Sequence, residues 1–138
     1  MKYMILSYAS QRDYDGMAGK PTQEPVWSAE DFAAMAQFME AFNKDLADSG
    51  ELVETRALAA PVLTRRLQLQ NGVPVVTDGP YAETQEVLAG YWIVECGSFD
   101  RATEIAARLA KCPAPPEAAA TAVADVRPIA DSAAELGL

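Results

Sequence analysis

Histidine is absent from this chain of 138 residues. That one zero removes Ser-His and Cys-His nucleophilic systems, histidine general bases and nearly all catalytic zinc sites. Any chemistry is left to carboxylates, tyrosine, arginine, lysine or a thiol. Cysteine is scarce too. Cys96 and Cys112 are too few for a disulfide scaffold and point to a reducing compartment. Basic residues are outnumbered, 11 against 20 acidic, for a formal net charge of −9. Arg65-Arg66 is the single basic pair, read as a solvated strand face, and no basic stripe interleaves with aromatics. A phosphate backbone would be repelled, so no direct nucleic-acid binding is expected. Long apolar runs are missing as well. None approaches the roughly 18–20 residues of a membrane span, so no membrane partner is expected. The opening Met1-Lys2-Tyr3-Met4-Ile5-Leu6-Ser7-Tyr8 meets Gln11, Arg12, Asp13 and Asp15 at once, and it reads as a strand rather than a secretory leader. These absences predict a cytoplasmic protein. Gly79, Gly90 and Gly97 have neither dinucleotide-loop nor P-loop spacing, and no cofactor is expected.

What is present is enough for one packed domain. Half the residues are hydrophobic and 22% are charged, which excludes a disordered polyelectrolyte. The domain is expected over residues 1–130, with 131–138 as a loose tail or short helix. Residues 2–9 form a first strand whose two faces are both largely apolar, so it is central. Residues 10–26, with Gly16, Gly19, Pro21 and Pro25, read as a long loop. A helix then starts at Ser28, with Asp31 as its capping-box acid and Trp27 and Phe32 in the staple positions. Its apolar stripe of Phe32, Met35, Ala36, Met39, Phe42 and Leu46 reads as core packing and not as a ligand site, and Gly50 stops it.

Residues 51–60 are a second strand. Thr64–Gln70 and Val73–Thr77 flank Asn71-Gly72, the strongest short-range hairpin signal, because a type I′ turn needs positive φ at both central residues. Pro74 places its strand at an edge. Leu88–Cys96 is a further strand. A second helix from near Ser98 points Ala102, Ile105, Ala106 and Leu109 inward and stops at Cys112-Pro113. Residues 113–120 read as a Pro/Ala linker, and Thr121–Ile129 as the last strand. This order predicts an α+β fold, a ferredoxin-like βαββαβ plait with an inserted β-hairpin. Two helices cover one sheet face. The other, with residues such as Trp92, Val94 and Ile5 to hide, needs a second copy of the sheet, which predicts a homodimer.

Four stretches resemble a known family: Gly50-Glu51-Leu52-Val53; Val76-Thr77-Asp78-Gly79-Pro80-Tyr81-Ala82-Glu83-Thr84-Gln85-Glu86; Gly90-Tyr91-Trp92-Ile93-Val94-Glu95; and Val126-Arg127-Pro128-Ile129. Together they resemble the DGPF-motif branch of the YCII-related superfamily. The resemblance implies a dimeric α/β barrel with a cleft near the dimer interface, lined by the DGPF turn. It also implies an association of some members with extracytoplasmic-function sigma factors. The chain departs from the pattern in three places. Tyr81 stands where the motif has Phe, Gln85 stands where Lys is usual, and the His of the enzyme-like branch's His-Asp pair does not exist here.

The motif carries its own physics. Pro80 has no N–H, so an Asx-turn closed by Asp78 is impossible. The Asp78 carboxylate must accept from the Tyr81 amide, pair with a cation, or face a cleft as a candidate catalytic base. Arg127, just before a proline on the last strand, can fork onto Asp78 or Glu83 as a structural pair or as an anion anchor. Tyr81, Glu83 and Tyr8 complete the candidate ligand-binding set, although Tyr8, like Tyr91, reads more readily as a core or interface aromatic than as an acid/base group. Asp78, Glu83 and Glu86 read as a solvated acidic loop rather than a metal site. Three functions stay open. The chain is a small-molecule-binding or regulatory dimer serving a sigma-factor pathway, an enzyme of unknown reaction using Asp78 with Arg127 or Tyr81, or an interaction module whose motif only builds a turn.

Overall fold

The computed structural model describes residues 1–20 and 26–138. Its central strand, β1 (Lys2–Ala9), is hydrogen-bonded on both sides. The other strands are β2 (Leu52–Ala57), β3 (Arg65–Gln70), β4 (Val73–Asp78), β5 (Val87–Glu95) and β6 (Ala124–Pro128). Four of them form an antiparallel sheet in the order β2-β5-β1-β6, while β3 and β4 stand apart as a two-stranded ribbon. With the two long helices between strands, this is the ferredoxin-like plait with its inserted hairpin.

Strand register sorts the side chains into two sets. Ile5 faces Trp92 on one neighbour and Val126 on the other, and Tyr3 faces Val94. The alternate pairs are Met4 with Ile93 and with Arg127, and Leu6 with Tyr91 and with Asp125. The first set is buried: Ile5 and Val94 are wholly inaccessible. It lies under α2 (Ala29–Asp48) and α3 (Phe99–Leu109), which supply Phe42, Leu46, Ala102, Ile105, Ala106 and Leu109 to the same core. Phe42 meets Trp92 edge-on at 5.8 Å between centroids. The second set is only partly buried and forms the opposite, open face. Ile5, Trp92 and Val94 are thus hidden by the helices, contrary to expectation, and the face left uncovered carries Met4, Leu6, Tyr91 and Ile93 instead.

Both long helices start as their sequences dictate. Ser28 and Asp31 exchange capping-box bonds, and Ser98 accepts from the Arg101 amide. Gly50, at φ +79°, ends α2 in the left-handed region. Asn71 (φ +51°) and Gly72 (φ +79°) make the type I′ turn.

Several expectations need correction. The stretch read as a loop over 10–26 contains a helix, α1 (Gln11–Met17), capped by a reciprocal Ser10–Asp13 box. Residues 21–25 of that stretch lie outside the described residues. Gly16 sits in α1 because a Cβ there would collide with Cδ1 of Trp27. The stretch read as a linker carries α4 (Pro116–Thr121), where Pro at the first turn costs no hydrogen bond and three alanines follow. The tail winds into a 3-10 turn at Ala134–Leu136. The apolar stripe of α2 is core only at its C-terminal end. Phe42 and Leu46 are buried, Met35 and Met39 are half-buried, and Phe32 is 46% exposed.

Candidate ligand-binding site

Between the buried face of the sheet and the helices lies a cavity of about 510 Å³. Its floor is Ser7, Thr55 and Trp92, adjacent on the helix-facing side of three neighbouring strands. Met35, Met39 and Asn43 of α2 form one wall, at successive turns of one helical stripe. Tyr14 and Met17 of α1, Trp27, Cys112, Ala118 and Val123 also line it, and the cavity opens to solvent along part of its rim. The volume falls in the range of small-molecule sites, and the lining has their usual character of apolar walls with few polar groups.

Those few polar groups are fixed. Trp92 Nε1–H donates to Asn43 Oδ1 at 2.7 Å. An indole nitrogen can only donate, so this bond sets the orientation of the Asn43 amide and leaves its Nδ2 hydrogens without a protein acceptor among the described residues. Thr55 donates to the Tyr91 carbonyl at 3.0 Å, and Ser7 to the Gly90 carbonyl at 3.3 Å. The Tyr14 hydroxyl donates to the Leu58 carbonyl at 2.8 Å, and burial holds its pKa above the ordinary phenol value. Burial likewise pushes the Cys112 thiol up to about 11, so at neutral pH it is a small apolar group and no nucleophile. Trp27 Nε1 and Arg12 Nε are shut from solvent with no hydrogen-bond partner among the described residues. Arg12 lines a smaller polar recess of about 200 Å³, which shares Asp13, Glu86 and Ala118 with the large cavity.

The residues singled out in the sequence lie mostly elsewhere. Asp78 ends β4 and pairs with Arg65 across the ribbon at 3.2 Å, both side chains largely exposed. Of the fates open to it, pairing with a cation is the one observed. Gly79, at φ +54°, donates its amide to the Thr64 carbonyl at 2.8 Å and packs on Val62, so the Asp-Gly-Pro-Tyr bend is stitched to the ribbon's base. The Tyr81 ring lies under the Arg66 guanidinium, 5.2 Å from its centroid. Glu83 is exposed, and its backbone carbonyl accepts from the Arg12 amide at 3.1 Å.

Arg127 forms no ion pair with Asp78 or Glu83, contrary to expectation. It stands on the open sheet face opposite Met4, because β6 pairs with β1 while Asp78 ends a separate ribbon. Tyr8 borders the cavity through its place on β1, but its hydroxyl donates to Asp125 on the open face at 2.7 Å. Tyr91 does the same to Glu54, also at 2.7 Å. Carboxylate acceptors raise the pKa of both phenols. Asp78, Tyr81, Glu83 and Arg127 are not among the residues lining the cavity.

The residues missed in the sequence are Met35, Met39, Asn43, Thr55 and Trp27. One signal was available. Asn43 continues the Met35–Met39 stripe of α2 at the next turn, a polar side chain on an otherwise apolar row. Counting back from the two-residue turn at Asn71-Gly72 likewise puts Arg65 opposite Asp78, which identifies that partner without coordinates.

The family model described as YCII-related domain matches residues 1–131. An uncharacterised protein of Rhizobium meliloti (strain 1021) is 31% identical over 81 residues, 59% of this chain and 65% of that relative's length. The chain thus covers just under two thirds of that relative.

Proposed function

Taking as its premise that the chain belongs to the YCII-related family, we propose that it is a small-molecule-binding homodimer. The ligand occupies the cavity under α2, and a second copy covers the open face of the sheet. One observation carries the reading. The sheet is packed tight at Ile5, Val94 and Phe42, yet the same layer a few residues on leaves about 510 Å³ between Trp92, Met35 and Met39. The space opens to solvent along part of its rim, and a cleft of that size with mostly apolar walls has the character of a small-molecule site.

Support for the dimer comes from the other face. Met4, Leu6, Tyr91 and Ile93 are partly exposed there in a contiguous apolar stripe. Glu54, Arg56, Asp125 and Arg127 flank it with balanced charge, the composition of an interface core with a polar rim. The β3–β4 ribbon also exposes Leu67, Leu69 and Val76 at 60% or more, and an isolated two-stranded ribbon is marginal in water. The regulatory side of the reading, service to a sigma-factor pathway, rests on the family resemblance. The catalytic alternative would require the partner protomer to enclose Asp78.

Sedimentation equilibrium and a thermal-shift screen of uncharged metabolites test the two halves separately. A dimer at micromolar concentration, dissociated by Leu6→Glu with unchanged far-UV circular dichroism, is the expected result for the first. A ligand-dependent rise in Tm that Met35→Trp removes is expected for the second. A monomer throughout refutes the dimer, and a screen without hits refutes the site.

A further inference from the structure

The polar inventory of the cavity points to the class of molecule it takes. Resting on the reading of this cavity as a binding site, we infer that its ligand is an uncharged aromatic carbonyl compound whose oxygen accepts from Asn43 Nδ2. Three features converge on that chemistry. The first is the amide itself. Trp92 Nε1–H occupies Asn43 Oδ1 at 2.7 Å, which fixes the amide in one orientation. The half turned away from Trp92 carries two hydrogens that no described residue accepts, on a residue that lines the cavity. That nitrogen is not shut off from solvent, so a ligand oxygen there takes the place of water as its acceptor.

The second feature is charge. Asp13, Glu86 and Arg56 are the charged residues along the lining. Asp13 is already engaged by Ser10 in the cap of α1, its carboxylate accepting from the Ser10 amide at 3.0 Å. Glu86 and Arg56 are exposed, and Arg56 lies 3.8 Å from Glu54 on the open side of the sheet. A charged ligand group set among the methionines would meet no buried counter-ion among the described lining residues, Arg12 belonging to the adjoining recess, and isolated buried charges are strongly disfavoured.

The third feature is the wall. Tyr14, Trp27 and Trp92 present ring surface, and Met17, Met35 and Met39 present thioethers. Flat aromatic guests gain from both, by ring contacts and by sulfur–aromatic contacts, and unbranched methionines re-pack around guests of different outline. Ser7, Thr55 and Tyr14 have spent their hydroxyl hydrogens on backbone carbonyls. Two side-chain donors along the lining stay uncommitted among the described residues, the Trp27 indole N–H beside α1 and the Asn43 amide, and the Asn43 amide is the one joined to Trp92 on the floor of the cavity.

The chain's two tryptophans both line the cavity, so intrinsic fluorescence reports occupancy directly. The test compares three matched probes: benzophenone, its isostere with a methylidene group in place of the carbonyl oxygen, and diphenylacetate. Expected for the wild type is binding of benzophenone about fivefold tighter than the isostere, the range of one hydrogen bond, with diphenylacetate weaker than both. Asn43→Asp is the decisive variant. It keeps an acceptor for Trp92 and the shape of the side chain, but replaces the two donor hydrogens with an acceptor. It should erase or invert the preference for benzophenone while leaving affinity for the isostere and the far-UV spectrum unchanged. Equal binding of benzophenone and its isostere by the wild type, or a preference that survives in Asn43→Asp, overturns the ligand class and leaves the site standing. Tighter binding of diphenylacetate overturns the class as well. Failure of all three probes to bind overturns the site itself, and so does binding that Met35→Trp does not block.

Discussion

The two faces of the four-stranded sheet are built from alternate residues of the same strands, and they have opposite characters. One face carries Ile5, Trp92 and Val94, is covered by α2 and α3, and forms the floor of the cavity. The other carries Met4, Leu6, Tyr91 and Ile93 with a rim of charged and phenolic groups, and remains partly open. On the covered face, polar atoms are tied to the sheet backbone or to one another, as Thr55 is to the Tyr91 carbonyl and Asn43 to Trp92. On the open face they form tyrosine–carboxylate pairs near solvent, Tyr8 with Asp125 and Tyr91 with Glu54. A single strand thus serves a buried interior with one set of side chains and a partly open surface with the other, because the pleat has a period of two.

The sharpest way to break this comparison is to place the same charge at adjacent positions of β5. Val94 is wholly buried, and Ile93 is on the open face. Val94→Asp should cost more than about 4 kcal/mol, the scale of an unpaired buried charge in a core, and abolish the cooperative thermal transition. Ile93→Asp should keep that transition within a few degrees and instead shift the sedimentation coefficient to that of a monomer. Equal damage by both substitutions would mean that the faces do not differ as described.

Next in size is Gly90, the one buried glycine in the sheet. A Cβ there would lie 2.9 Å from the Arg56 carbonyl oxygen, a backbone atom that cannot move without spreading β2 from β5. Gly90→Ala should therefore cost about 1–3 kcal/mol in urea unfolding, as other overpacked sites do. Because Gly90 also lines the cavity, the same substitution should weaken ligand binding, which no open-face alanine substitution should do.

A smaller effect is expected at the rim of the covered face. Arg101 of α3 forks onto Glu51, Nε to Oε2 at 2.9 Å and an Nη2 bond to Oε1 at 2.8 Å. The guanidinium holds the Glu51 carboxyl below its ordinary pKa. A carboxylate with a depressed folded-state pKa stabilises the protein above its unfolded pKa, and that contribution is lost as the pH falls through the folded value. Arg101 is 46% exposed, so solvent screens the pair. Glu51→Gln should cost no more than about 1 kcal/mol at pH 7, and the difference from wild type should shrink on acidification below the ordinary carboxylate range. A difference that grew toward acid would reverse the assignment.

Much of this architecture was readable from local signals, and particular residues show where reading stopped. Ser28 and Asp31 announced α2 because a long apolar stripe followed them. Ser10 and Asp13 carry the same capping chemistry, but only Tyr14 and Met17 follow, with Gly16 between them, and a glycine inside a short helix argues against it. The reason for Gly16 is tertiary: the Trp27 ring occupies the space a side chain would need. Pro115-Pro116 read as a linker because the proline signal for a helix start and that for a loop are the same residue. The cavity was illegible for a different reason. Met35 and Met39 have the spacing of core residues, and periodicity says which side of a helix faces inward without saying whether atoms fill the space beyond. Pro80 does forbid the Asx closure of Asp78, but the partner the carboxylate takes, Arg65, lies across the ribbon and follows from its register rather than from the local motif.

That ribbon gives the smallest expected effect and the one that most sharpens the contrast. Gly72 sits at φ +79° in the turn, where an alanine is strained by about 1 kcal/mol. In a lone chain the ribbon forms its own two-stranded sheet with every residue of β3 exposed. Strain there should unravel the ribbon locally and leave the global transition almost unmoved. If a second copy covers Leu67, Leu69 and Val76 as it covers the open face, the ribbon is part of the dimer and the strain is transmitted. Gly72→Ala should then lower the dimer association constant by up to about fivefold, the same energy expressed as an equilibrium, with the thermal midpoint of a dissociated variant such as Ile93→Asp unaffected. Hydrogen exchange at the Leu67 and Leu69 amides, measured in Gly72→Ala and in the wild type at concentrations above and below dissociation, separates the two cases. Protection that rises with concentration in the wild type and falls in the variant ties the ribbon to the partner, and protection independent of concentration leaves it a free arm.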